Sequence, residues 1–260
     1  MLSATAVTRT RGFLSGIEIT LLPPQDAVLI EARFDPKRAH ADLFGVFGLS
    51  VPQALARMAQ KRAAEFLAGR LVAALGAEAL GVVPQDIGIG PGRAPLWPAG
   101  LAGSITHSGQ RCACLVSRRA DLLCGIDLEH IAQGAALRSI MERCLSGPER
   151  MLAQQGLDLP ADQAATLMFS AKETVFKALY PTVGRFFGFG AAEVARDLEG
   201  RALQLHLTET LHPTLPAGLA LAPRYILRDD HLMTLLVVAR AAFSAGDGTD
   251  GSGAGGDIPR

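Results

Sequence analysis

The stretch CGIDLEH, Cys124 to His130, places two carboxylates two residues apart in an otherwise apolar run. Asp127 and Glu129 alternate with Ile126 and Leu128. In an extended strand, side chains at i and i+2 share a face, so both acids lie on one side. Adjacent like charges repel when unpaired, and a bound divalent cation would reverse that sign. A second stretch, FSAKETVFKAL, runs from Phe169 to Leu179. On a helix, Thr166, Ser170, Glu173 and Lys177 form one polar stripe, while Met168, Phe169, Val175, Phe176 and Leu179 cover neighbouring apolar faces. Taken singly, each stretch has a plain structural explanation. The strand acids can face solvent, and Glu173 with Lys177 at i,i+4 can form an exposed ion pair worth ~0.2–0.5 kcal/mol. Taken together, Asp127, Glu129 and Glu173 offer up to three carboxylate ligands. That oxygen-only donor set suits Mg²⁺, which keeps waters and adds substrate phosphate oxygens. Lys172 and Lys177 stand beside the third acid and can face such a phosphate.

The elements that must position these groups follow from patterning. VLIEARF, Val28 to Phe34, reads as a strand. A long helical pattern starts at Ser50, with Ser50 as cap, Pro52 in the first turn and Gly76 just past the end. GVVPQDIGIGPGRAPLWPAGLAG is rich in Gly and Pro and reads mostly as loop. Two apolar runs, Cys112 to Val116 and Leu122 to Leu128, flank the polar SRRAD and suggest a strand hairpin. Helical stretches follow from Ala135 to Gln155, interrupted at Ser146-Gly147-Pro148, and from Asp162 to a stop at Pro181. LQLHLTET alternates as a half-buried strand does, and LALAPRYIL and HLMTLLVVAR read as two strands around the turn RDD. The pattern is α+β in two lobes rather than a regular βαβ wind. We divide it into an N-terminal lobe over 1–120, a C-terminal lobe over 121–244 and a disordered Gly-rich tail over 245–260.

Composition narrows the function classes. Of 260 residues, 49% are hydrophobic and 19% charged, enough apolar material for a sizeable core. Lys+Arg 25 balance Asp+Glu 25, so net charge gives no reason to expect a nucleic-acid partner. No apolar run approaches the ~20 residues of a membrane helix. The N-terminus, broken by Arg9 and Arg11, lacks the apolar segment of a secretory signal. Cys112, Cys114, Cys124 and Cys144 match no zinc spacing, and buried thiols of a cytoplasmic protein are expected. GIGPGR, Gly88 to Arg93, lacks the terminal Lys-Ser/Thr of a P-loop and reads as a turn presenting Arg93.

GIDLE followed by FSAKETVFK resembles the paired signature of the 4′-phosphopantetheinyl transferase superfamily, at the family's interval. KRAAEFLAGR, GRAPLWPAGLAGSITHSG and LYPTVGRFFGF extend the likeness over Lys61 to Phe189 and toward the subgroup of enterobactin synthase component D. The resemblance implies a fold of two similar lobes, each a small sheet with packed helices. It implies a reaction, the transfer of the phosphopantetheine arm of coenzyme A to a serine of an apo acyl or peptidyl carrier protein. It implies Mg²⁺ held by Asp127 and Glu173, with Glu129 as the additional acid. Glu173 would also act as general base for the incoming serine, and Lys177 would face the pyrophosphate, with Lys172 a weaker candidate. Arg70, Arg93 and His107 fall at coenzyme-binding positions, Arg62 is a weaker addition, and Thr106 offers a hydroxyl. Arginine forks suit phosphate oxygens. The expectation is a cytoplasmic, monomeric transferase that serves nonribosomal peptide or siderophore synthesis. The alternatives are a metal-dependent phosphohydrolase acting on a diphosphate and a non-catalytic coenzyme A-binding module.

Overall fold

The computed structural model of the protein describes residues 2–22, 26–198 and 201–240. The expected tail over 245–260 lies outside them. Two antiparallel sheets, each backed by one long helix, carry the architecture. The first sheet has the order β1-β2-β6-β5, from Leu14–Leu22, Ala27–Phe34, Arg111–Ser117 and Ala102–Ser108. The helix α2, Gln60–Ala79, packs on it, and a short helix α1, Leu2–Arg9, precedes β1. A two-stranded ribbon, β3 (Gly88–Ile89) with β4 (Pro95–Leu96), lies in the connection from α2 to β5. The second sheet has the order β10-β9-β11-β12-β7, with β8 on β9. Its strands are β7 (Leu122–His130), β8 (Ala192–Leu198), β9 (Ala202–Leu207), β10 (Ala220–Leu221), β11 (Arg224–Leu227) and β12 (His231–Ala239). The helix α5, Ala161–Val183, packs on β7 and β12, and α3 (Gly134–Arg143) and α4 (Gly147–Gln155) pack on α5.

Each helix shares a core with its own sheet, and a third apolar cluster, including Leu29, Leu115, Ile126, Leu128 and Met233, fills the space between the sheets. Cys112, Cys114 and Cys124 lie buried in these clusters and Cys144 is half-buried, all as free thiols. Burial pushes the Cys124 thiol up to about 12. Among the described residues no helix is long and apolar enough to cross a membrane.

Several sequence expectations need correction. The helix does not start at Ser50. Pro52, Met58 and Ala59 are extended, so residues Gln53–Arg57 make only a 3₁₀ stretch before α2 begins at Gln60. Gly76 is not a stop; it lies inside α2, where an added Cβ would come within 2.8 Å of Val116. Gly81, at φ +72°, turns the chain instead. The expected hairpin of Cys112–Val116 with Leu122–Leu128 does not form. β6 pairs with β2 and β5, while β7 pairs along its whole length with β12, so SRRAD is the crossing between sheets. α5 continues past Pro181 to Val183 and ends on Gly184 in the left-handed conformation. Strands β1, β5 and β8 were not expected from the pattern. The half-buried strand over LQLHLTET and the hairpin of β11 with β12 are present.

Candidate active site

The signature strand and helix meet because of a glycine. Gly125 in β7 lies against the backbone of α5, where an added Cβ would stand 2.1 Å from the Thr174 carbonyl oxygen. Only a residue without a side chain permits this approach. It brings Asp127, two residues on, against the polar stripe of α5. Asp127 is 4% exposed, so the solvent-facing reading of this strand is wrong. Its Oδ1 accepts from Lys177 Nζ at 2.6 Å and lies 3.5 Å from Thr106 Oγ1, and its Oδ2 accepts from Ser170 Oγ at 2.8 Å. Lys177 therefore pairs with Asp127 rather than with Glu173, and also donates to Thr106 Oγ1 and the Ile126 carbonyl. The exposed i,i+4 pair on the helix is not formed.

The floor of the site is a seam between the two sheets. β5 and β7 are edge strands running side by side, without mutual backbone pairing. Ser104 Oγ accepts from Ile126 N, and Thr106 Oγ1 from Leu128 N, both at 3.2 Å. Side-chain hydroxyls thus satisfy amides that a buried strand edge would otherwise leave bare. Thr234, opposite Asp127 in β12, closes the network behind through Ser170 and Thr174.

Glu129 and Glu173 flank this centre. Burial, then the Asp127 charge, raises the Glu129 carboxyl to about 7, with Glu173 adding to the rise and Lys177 opposing it. Burial first and Asp127 second also push Glu173 above its ordinary value. Neither acid has an ion-pair partner within 4.0 Å among the described residues. The donor set, three mutually repelling carboxylates, has the chemistry of a hard divalent cation site. In this conformation the carboxylates stand apart. Among the described residues no group of three His, Cys, Asp or Glu is arranged to hold an ion, and the Lys177 ammonium occupies the place beside Asp127.

The coenzyme-site candidates separate into two groups. Arg62, Arg70, Arg93 and His107 share a cavity of about 580 Å³ with Glu65 and Arg57. Arg93, Pro95 and Ile105 also line an adjoining cavity of about 420 Å³ that contains Glu173, Lys177, Trp97, Tyr180 and Phe186. Arg62 Nη1 stands 2.9 Å from His107 Nε2 and 3.4 Å from Glu65. Burial lowers the His107 pKa, so the ring tends to neutrality. Arg70 is buried, bonded to the Ile87 and Gly88 carbonyls and stacked 4.4 Å over Phe66; burial brings it down to about 10. It holds the β3 turn as well as lining the cavity. Arg93 is presented by a turn with Gly92 and Arg93 both at positive φ.

Lys172 does not join them. It is 4% exposed and points away from Asp127, donating to Glu149 Oε2 at 2.7 Å, the Cys144 carbonyl at 3.0 Å and the Phe189 carbonyl at 3.1 Å. Its three protons are all used, so the expectation that it faces a coenzyme phosphate is corrected. Ser104 and Ser170 were missed as site residues; the Ser-x-Thr alternation of SITHS and the polar stripe on α5 were the available signals. A further cavity of about 400 Å³ lies among Glu18, Glu31, Arg111, Arg228, Asp230 and His231, whose charges largely pair with one another.

Lys177, paired with the buried Asp127, and Glu173 line a cavity that adjoins the arginine-lined one, a set of charges with the chemistry to meet phosphate groups and a cation. Comparison with known proteins makes the class specific. Residues 51–117 match the 4′-phosphopantetheinyl transferase N-terminal domain, and residues 123–232 match the 4′-phosphopantetheinyl transferase superfamily. Enterobactin synthase component D of Salmonella typhimurium is 36% identical over 179 residues, 68% of this chain and 72% of that protein. The 4′-phosphopantetheinyl transferase Svp of Streptomyces mobaraensis is 31% identical over 76% of this chain and 81% of its own length. PptT of Mycobacterium tuberculosis is 33% identical over 56% and 63%. The chain belongs to the 4′-phosphopantetheinyl transferase superfamily.

Proposed function

We propose that the chain transfers the 4′-phosphopantetheine arm of coenzyme A to a serine hydroxyl of an apo carrier protein and releases adenosine 3′,5′-bisphosphate. The observation that carries this is the Asp127–Lys177 pair beside Glu173, at the end of a cleft lined by Arg62, Arg70, Arg93 and His107. The serine Oγ forms a bond to the β-phosphorus as the bridging oxygen leaves. Glu173, its carboxyl raised by burial, takes the hydroxyl proton. Lys177, with 27% of its side chain exposed, turns from Asp127 toward the pyrophosphate, where its charge stabilises the leaving oxygen. Arg62, Arg93 and His107 bind the remaining phosphate of the coenzyme, with Arg70 shaping the wall and Thr106 orienting Lys177. Asp127, Glu129 and Glu173 would hold Mg²⁺, which would neutralise phosphate charge during transfer.

The finer reading is a carrier domain of nonribosomal peptide or siderophore synthesis, a monomeric cytoplasmic enzyme, and two pseudo-symmetric lobes dividing near residue 120. The crossing from β6 to β7 supports that division. Incubating the chain with coenzyme A, Mg²⁺ and a panel of apo carriers is expected to add the arm's mass to at least a siderophore-type carrier. Consumption of coenzyme A without any carrier would make it a phosphohydrolase. Coenzyme A binding with no modified carrier, where another transferase works, would make it a binding module.

A further inference from the structure

One pair of buried charges lies outside the cleft. Lys172 and Glu149 have side chains 3% and 0% exposed and meet at 2.7 Å. Glu149 is the capping-box residue of α4: its Oε2 accepts from Ser146 N at 2.8 Å, and its Oε1 from Val194 N at 2.7 Å. Lys172 in turn holds the carbonyls of Cys144, just after α3, and of Phe189, in the loop before β8. Four segments, the end of α3, α4, α5 and the stretch from Phe189 into the start of β8, therefore converge on this pair, and the next residue on α5 is Glu173. Phe189 of this stretch packs on Phe169 of α5, and Phe187, two residues before it, packs on Phe176.

We infer that the Glu149–Lys172 pair fixes the place of Glu173 and of the aromatic loop beside it, so that Glu149 and Lys172 are positioning residues for the transfer and not coenzyme ligands. A buried pair of this kind is weak evidence for net stability, since two apolar side chains often serve as well. Its position one residue from Glu173, tied to four segments, is that of a register device. The inference rests on the transfer reading above.

Three variants test it by melting temperature and by the separation of kcat from KM for coenzyme A. Lys172→Met leaves the Glu149 charge uncompensated and is expected to lower the melting temperature by roughly 10 °C. Glu149→Gln with Lys172→Met is expected to regain most of that loss. The double variant is still expected to transfer at least about 10-fold more slowly, with KM for coenzyme A within about twofold of wild type. Ser146→Ala, which loosens the α4 cap outside the cleft, is expected to lower kcat about threefold with KM unchanged. Wild-type kcat in the double or Ser146→Ala variant overturns the inference, leaving the pair purely structural. A 10-fold rise in KM at unchanged kcat overturns it in favour of a coenzyme contact. If the wild-type chain transfers nothing, the transfer reading fails by itself. The melting arm then decides separately, because a drop of less than about 2 °C in Lys172→Met would refute a buried, coupled pair.

Discussion

Two lysines five residues apart on α5 make ion pairs of nearly equal length and opposite consequence. Lys177 meets Asp127 at 2.6 Å with 27% of its side chain exposed; Lys172 meets Glu149 at 2.7 Å with 3% exposed. The first pair opens on the cleft, where an incoming group can reach the lysine. The second has all three protons fixed by protein oxygens and can exchange with nothing. Distance alone would rank them as equals. Access to an incoming group is what separates the two pairs.

The comparison can be broken most sharply at Asp127. Asp127→Asn keeps the shape and the Ser170 contact but removes the charge shared by Lys177 and the two glutamates. Carrier modification is expected to fall by about 10³-fold or more, on the scale of a lost charged group at a transition state, with folding largely intact by circular dichroism. A variant within tenfold of wild type would refute a central role. Gly125→Ala comes next. Its Cβ would collide with the Thr174 carbonyl, backbone rather than a yielding side chain. The expected loss is about 3 kcal/mol in denaturant unfolding, and a near-neutral result would mean that α5 does not sit so close to β7.

Arg62→Ala sharpens the assignment of the cleft's other end. KM for coenzyme A is expected to rise about 10-fold, the scale of one charged hydrogen bond. KM for dephospho-coenzyme A, which lacks the 3′-phosphate, should hardly change; an equal rise for both substrates would remove Arg62 from that contact. The smallest effect concerns Glu31, opposite Glu18 and near Arg228. Burial raises its carboxyl pKa, so the folded state holds this proton more tightly than the unfolded chain. Its contribution is fully present below the unfolded value and is lost as pH rises through the folded one. Glu31→Gln should flatten that part of the stability–pH curve by less than about 1 kcal/mol, measured by urea unfolding between pH 4 and 8. An unchanged slope would refute it.

The two signature stretches were legible because their chemistry is local. Asp127-x-Glu129 and the Glu173/Lys177 spacing fix side-chain faces once strand and helix are granted. The partner choice was not legible: whether Lys177 turns to Glu173 or to Asp127 depends on how closely α5 approaches β7, and Gly125 reveals that only in three dimensions. Lys172 misled for the same reason, since Glu149, twenty-three residues earlier, carries no local sign of their contact. The false hairpin between β6 and β7 arose because two apolar runs around a polar turn look alike whether the strands pair with each other or with different sheets. β5 starts at the end of the Gly-rich stretch, and Gly103 is needed there to admit Trp97, whose ring would lie 2.5 Å from an added Cβ.

The hydroxyl stitching of β5 to β7 sets an unusual tolerance rule. Ser104 and Thr106 reach across because they sit an even number of positions apart. Inserting or deleting one residue between Gly103 and Thr106 would rotate at least one hydroxyl to the opposite side and strand an amide hydrogen of β7. Exchange of Ser for Thr at either place would be mild by comparison. Lengthening the chain at this point should therefore harm the molecule far more than altering its letters.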